Sequence, residues 1–143
     1  MSTHVLVPMD YSEGSRHALE RALTDLPDAE VTVLHVVDFR SSDLGPGGFG
    51  TANAWEDWYE AAEAHAEKLL DEAHDIAAEH DRDVATATVV GEDTRSILDY
   101  IDEHDVDHVY IGSHGRSGIE RVLLGSVAET IVRRAPVPVT VVR

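Results

Sequence analysis

The chain has 143 residues, with 28 acidic side chains against 11 basic ones and a formal net charge of −17. That length suits one domain, spanning 1–143, around one core. No run approaches the ~20 apolar residues that cross a bilayer, the absence of cysteine excludes disulfides and thiolate metal sites, and the scarcity of basic residues argues against nonspecific binding to nucleic acid.

The acids are dispersed through the helical segments instead of forming a tail. Lys68 is the only lysine among the basic residues. An acidic partner-binding surface is one reading of this charge. Adaptation to a salt-rich cytoplasm is the favoured one: salt screens the self-repulsion, so stability should rise with salt. Met1 to His4 has no basic stretch leading into an apolar one, so a cytoplasmic location is expected.

His4-Val5-Leu6-Val7-Pro8-Met9 reads as a short buried strand. Ser12 can cap the next helix, whose apolar face is Ala18, Leu19, Ala22, Leu23 and Leu26, and Pro27 ends it. Val31 to Val37 is a second apolar strand. A glycine-rich loop follows, Ser41 to Asn53, without periodicity. Trp55, Trp58, Ala62, Ala66, Leu69, Leu70, Ala73 and Ile76 recur at three- and four-residue spacing, which predicts one long amphipathic helix.

Val84 to Val90 is a third strand, rich in Val and Thr. Thr94 to His104 is a shorter helix burying Ile97, Leu98 and Ile101. Val106 to Ile111 is the fourth strand, Ser126 to Arg134 the last helix, and Val137 to Val142 the last strand. Strands alternating with helices from start to finish predict a three-layer α/β sandwich with a parallel sheet and right-handed crossovers. In such Rossmann-like sheets ligands sit beyond the carboxyl ends of the strands, where the strand order reverses. The residues just after each strand therefore matter most: Pro8-Met9-Asp10, Asp38, Gly91-Glu92-Asp93 and Gly112-Ser113-His114-Gly115.

The stretch "GSHGRSGIERVLLGSVAET", Gly112 to Thr130, leaves the fourth strand abruptly. Gly112 and Gly115 would let a ligand approach the main chain closely. Gly125-Ser126 opens a helix, whose first N–H groups favour an anion. Arg116 and Arg121 would add charge. The competing reading is purely structural: Ser126-Val127-Ala128-Glu129 matches a capping box that needs no ligand. No Walker lysine is present, so phosphate binding would rely on amides, hydroxyls and arginine.

The spacing Gly112-x2-Gly115-x9-Gly125-Ser126 resembles the nucleotide-binding signature of the universal stress protein family, in its ATP-binding branch. "VLVPMDYSEGSRHAL", "VTVLHVVD" and "APVPVTVVR" agree. The resemblance covers the chain except for Arg40 to Asn53. It implies a five-stranded parallel sheet in order 3-2-1-4-5 with helices on both faces. It also implies a stress-response protein binding an adenine nucleotide, ATP or AMP, with any Mg²⁺ carried on the phosphates. Pro8, Met9 and Asp10 would line the nucleoside side, Val36 would meet the adenine, and Ile111 and Gly112 would lie under the ribose. Gly115, Arg116, Gly125, Ser126 and Val127 would surround the phosphates, with His114 as a lining residue. Proteins of this kind often pair as homodimers through the last strand, where Pro138 suits an edge.

Other constellations point nowhere comparable. His74 and His80 are six apart on one helix, His104 and His108 straddle a loop, and His35 in a buried strand reads as a core histidine. A phosphoacceptor receiver domain would need an Asp after strand three and a lysine after the last strand; Gly91-Glu92-Asp93 and the end at Arg143 do not supply them. Beside the regulatory nucleotide binder stand two alternatives. One is a slow ATPase with Asp10 or His114 as base. The other is a nucleotide-free dimeric scaffold.

Overall fold

The computed structural model describes residues 2–38, 54–113 and 124–143. Strand β1 (His4–Pro8) is apolar on both faces, as a central parallel strand must be. Helix α1 (Glu13–Asp25) buries Ala18, Leu19, Ala22 and Leu23 on one stripe. Strand β2 (Glu30–Val37) follows, then the long helix α2 (Ala54–Glu79). Strand β3 (Ala85–Val90), helix α3 (Asp93–Glu103), strand β4 (His108–Gly112), helix α4 (Ser126–Arg134) and strand β5 (Val139–Val142) complete the order.

The sheet runs β3-β2-β1-β4-β5 and every pairing is parallel. This is the expected order, and helices cover both faces. One core cluster joins Val5, Val7, Val31 and Val33 of the sheet to Leu19 and Leu23 of α1 and to Leu69 and Ala73 of α2. The other joins Leu6, Leu34, Val109 and Ile111 to Ile97 and Ile101 of α3 and to Ile131 of α4. Alternate residues of each strand feed opposite clusters, so the period of two along β1 and β2 builds two cores from one sheet.

Two strands start two residues later than the sequence reading, while other boundaries shift by about one. Strand four begins at His108 instead of Val106. Asp105 takes φ 51°, and the Val106 N–H still donates to the Ile101 carbonyl at 3.3 Å, closing the end of α3. Strand five begins at Val139 instead of Val137, because Pro138 has no N–H to give; its carbonyl accepts from Val109 at 3.0 Å. The loop from Ser41 to Asn53 lies outside the described residues.

Arg82 fastens the layers at the amino end. Its guanidinium donates to the Leu23 carbonyl at 2.9 Å and the Ala29 carbonyl at 2.7 Å. A single cation thereby satisfies carbonyls at the end of α1 and at the entry to β2.

Candidate functional site

Order reverses between β1 and β4, so the ends of these two strands open a crevice at the carboxyl edge. Just past β1 the chain folds onto itself. The Asp10 carboxylate accepts from the Ser12 N–H at 2.8 Å and from the Ser12 hydroxyl. Ser12 is the N-cap of α1, and its hydroxyl oxygen accepts from the Ser15 N–H at 3.2 Å. The Ser15 oxygen lies 3.0 Å from both the Asp10 and the Ser12 carbonyls. The start of α1 is thus capped by a side chain from its own loop.

Gly112, at the end of β4, sits directly against that loop. A Cβ there would lie 2.7 Å from the Gly14 carbonyl carbon and 2.9 Å from its oxygen. This glycine is required by the close approach of two backbones, quite apart from any ligand. The Ser113 N–H donates to Val142 at 2.8 Å, and the Ser113 carbonyl accepts from the Gly125 N–H at 2.6 Å. Those two bonds bring both ends of the glycine-rich stretch to one place.

The capping box that Ser126 to Glu129 offered as a competing reading does not form. Gly125, with φ −61° and ψ 153°, is the N-cap of α4 and offers no side-chain cap. Ser126 is already the first helical residue, and the Glu129 carboxylate pairs with Arg133 on the next turn. The local sequence satisfies the S-x-x-E pattern, but the helix starts one residue too early for the Ser126 side chain to reach back over its own first turn.

These ends enclose a cleft of about 800 Å³. Pro8, Met9, Asp10, Val36, Ile111, Gly112, Gly125, Ser126 and Val127 all line it. Each of these was singled out in the sequence, and the fold gathers them from β1, β2, β4 and α4. His114, Gly115 and Arg116, together with Arg121, lie outside the described residues. Among the described lining residues the charged side chains are Asp10, Asp38, Asp57 and Asp93, with no lysine or arginine.

The cleft also has a wall absent from the sequence reading of the site. Trp58, Ala61, Ala62 and His65 of α2 line it, with Tyr11 and His35 opposite. Tyr11 meets His35 edge-on at 5.5 Å and His65 at 6.4 Å. The signal was present: positions 58, 61, 62 and 65 continue the stripe that packs Ala66, Leu69 and Ala73 into the core. Periodicity alone reads the whole stripe as core, because it does not say where the sheet beneath it ends. Trp55 leaves that stripe altogether, being 44% exposed, with its ring tilted against Trp58 at 5.1 Å.

Among the described residues no three His, Asp or Glu side chains converge as a metal site, and no helix is long and apolar enough to cross a membrane.

Comparison with known proteins follows the same lines. The model of the universal stress protein family matches residues 1–143. Universal stress protein MJ0577 of Methanocaldococcus jannaschii is 30% identical over 159 aligned positions, covering 100% of this chain and 96% of the relative. The solved structure of UspA from Lactobacillus plantarum superposes with a TM-score of 0.81 at 27% identity, covering 99% and 97% of the two chains. A universal stress protein solved in complex with cAMP superposes with a TM-score of 0.71 at 28% identity, covering 99% and 97%. With the order 3-2-1-4-5, the crevice at its reversal point and a family match over the full length, this chain belongs to the universal stress protein family.

Proposed function

We propose that this protein is a one-domain, cytoplasmic stress-response module that binds an adenine nucleotide, ATP or AMP, in the cleft at the carboxyl edge of the sheet. One observation carries the reading. The start of α4 has no side-chain cap and opens onto the cleft where the other candidate residues converge. Unpaired first-turn N–H groups and the helix dipole favour an anion there. The similar structure holding cAMP supports an adenine nucleotide as that anion.

The residue assignment follows from placement. Gly125, Ser126 and Val127 would meet the phosphates, joined by Gly115 and Arg116. Ile111 and Gly112 would underlie the ribose. Pro8, Met9, Asp10 and Val36 would bound the nucleoside, with His114 as a further lining residue. Four carboxylates around the cleft oppose a bare polyphosphate, so a divalent cation carried on the phosphates fits the chemistry of this lining. Of the two base candidates read from the sequence, Asp10 has one carboxylate oxygen engaged by Ser12, and His114 lies outside the described residues. Binding is the reading favoured here, with slow hydrolysis at the same site as the alternative that phosphate release above background would reveal.

As a module it would pair through β5, a sheet edge whose Val139 and Val141 are half-buried within one chain. Light scattering should then give twice the 15.6 kDa chain mass. The decisive test of the nucleotide reading is to denature the purified protein and identify released nucleotide by mass spectrometry, with calorimetric titration of ATP, AMP and cAMP onto stripped protein. Failure of all three to bind would overturn it.

A further inference from the structure

The two edges of the sheet are defended differently. The β5 edge is four residues long, and Pro138 precedes it. The β3 edge, Ala85–Val90, is six residues long, and its sequence ATATVV holds no charge, proline or glycine. Its register with β2 runs unbroken from Ala85 to Val90, without a bulge. Charges, prolines and bulges are what keep an edge strand from pairing further, and β3 has none of them.

The ladder shows which groups stay open. The Gly91 N–H donates to the Val37 carbonyl at 2.9 Å. The main chain at Gly91, and by alternation at Val89, Ala87 and Ala85, therefore turns toward β2. The N–H and C=O groups of Thr86, Thr88 and Val90 point away from the sheet. Among the described residues none accepts from these three N–H groups, and no strand lies beyond β3. Thr86 is in register with Val33, whose side chain joins the core under α1 and α2. Thr88 and Val90 share that face, yet α2 does not cover them: Thr88 is exposed and Val90 is 42% exposed. The edge and the strip of sheet beside it are accessible together.

A row of outward backbone donors and acceptors matches an extended polypeptide. Charge selects its kind. Asp81 and Asp83 precede the strand and Glu92 follows it, all three exposed, in a chain of net charge −17. A second copy laid on this edge would set carboxylates against carboxylates at both ends, in either strand direction. A β-forming stretch flanked by arginine or lysine would meet the same carboxylates with opposite charge.

We infer that the outer edge of β3 is a docking strand for an extended, positively charged segment of another protein, paired through the backbone of Thr86, Thr88 and Val90. The β3 main chain supplies the affinity, and the flanking acids choose the partner. This edge is separate from β5 and from the cleft residues assigned to the nucleotide, so failure of the nucleotide reading leaves it standing.

The probe is a fluorescent peptide of about six alternating valines and threonines with arginines at both ends. Anisotropy with the full chain at ~0.15 M salt should show saturable binding. Methylating the core amides of the peptide, or replacing its arginines by glutamates, should weaken binding at least about tenfold. Thr88→Pro removes an N–H that β2 does not use, so the sheet keeps its ladder; it should weaken binding to the same degree with little change in melting temperature. Should that variant not fold, hydrogen exchange on the parent replaces it: the peptide should slow exchange at Thr86, Thr88 and Val90 and leave Val89 as it was.

A peptide that binds equally well with methylated amides, or equally well to Thr88→Pro, is held by charge alone and overturns the inference. Equal binding of the glutamate peptide overturns it too, as do unchanged exchange rates at the three outward amides. Light scattering tests the rival occupant. Thr88→Pro should keep the parent's mass, and a lower mass would assign this edge to a second copy instead.

Discussion

Helices α1 and α4 both begin at the rim of the same cleft, and they begin differently. The start of α1 is closed: Ser12 caps it, Asp10 holds Ser12, and Ser15 bonds back to both carbonyls. The start of α4 is open: Gly125 caps it with backbone alone. Every helix start leaves N–H groups that need acceptors. Where the chain supplies those acceptors, it gains stability and a fixed loop. Where it withholds them beside a cavity, the same donors remain for a ligand.

Gly112 lies against the closed start, and breaking that contact should have the largest effect. Gly112→Val should lose about 3 kcal/mol of stability, since the new side chain would drive into the Gly14 backbone. Urea unfolding would measure it, and a loss is expected in nucleotide-free protein too. An unaltered midpoint would show that the two backbones can separate at little cost.

Ser126→Asp addresses the open start. Ser126 is exposed in the first turn of α4, where a carboxylate favours the helix by about 0.5 kcal/mol. The same charge repels phosphate. Melting temperature should hold or rise slightly while ATP affinity falls at least about tenfold, about 1.4 kcal/mol. Unchanged affinity in calorimetry would move the phosphates elsewhere.

Ser12→Ala should show the opposite profile. Losing this cap should cost about 1 kcal/mol of stability, visible as a lower urea midpoint. Its effect on ATP affinity should be smaller than that of Ser126→Asp. A larger effect would mean the closed start also contacts ligand.

The smallest effect concerns the far end of α1. The Tyr110 hydroxyl donates to Asp25 at 3.1 Å. Burial first, then the Asp25 contact, holds the phenol above its usual ionisation range. Between the ordinary value of 10.0 and that raised value, the unfolded chain loses the proton and the folded one keeps it. The phenol's contribution is therefore complete below pH 10 and lost as pH climbs through the raised value. Tyr110→Phe should cost under about 1 kcal/mol at neutral pH and make the stability curve flatter above pH 10. Urea midpoints from pH 8 to 11 would test this; an equally steep alkaline decline in the variant would assign it to other groups.

Much of this molecule is legible in its residues alone. Apolar runs of five to eight residues separated by amphipathic helices leave few alternatives to a parallel sheet, and the glycine spacing marks the crevice end of β4. Element order, both core stripes and the residues just beyond β1 and β4 follow from local periodicity and turn chemistry. Those are short-range properties, written in consecutive residues.

Tertiary structure decided what depends on where one element ends against another. Only the packed fold shows that Gly112 is needed by the α1 backbone as well as near a ligand, because the two segments are about a hundred residues apart in sequence. Only the fold decides between the two sequence readings of Ser126, as the first residue of α4 or as its cap. And only the fold divides the α2 stripe, sending Ala66 and Leu69 into the core and leaving Trp58 and His65 above the last residue of β2 to line a cleft. A helical repeat specifies which residues share a face; what that face meets depends on the length of the strand beneath it.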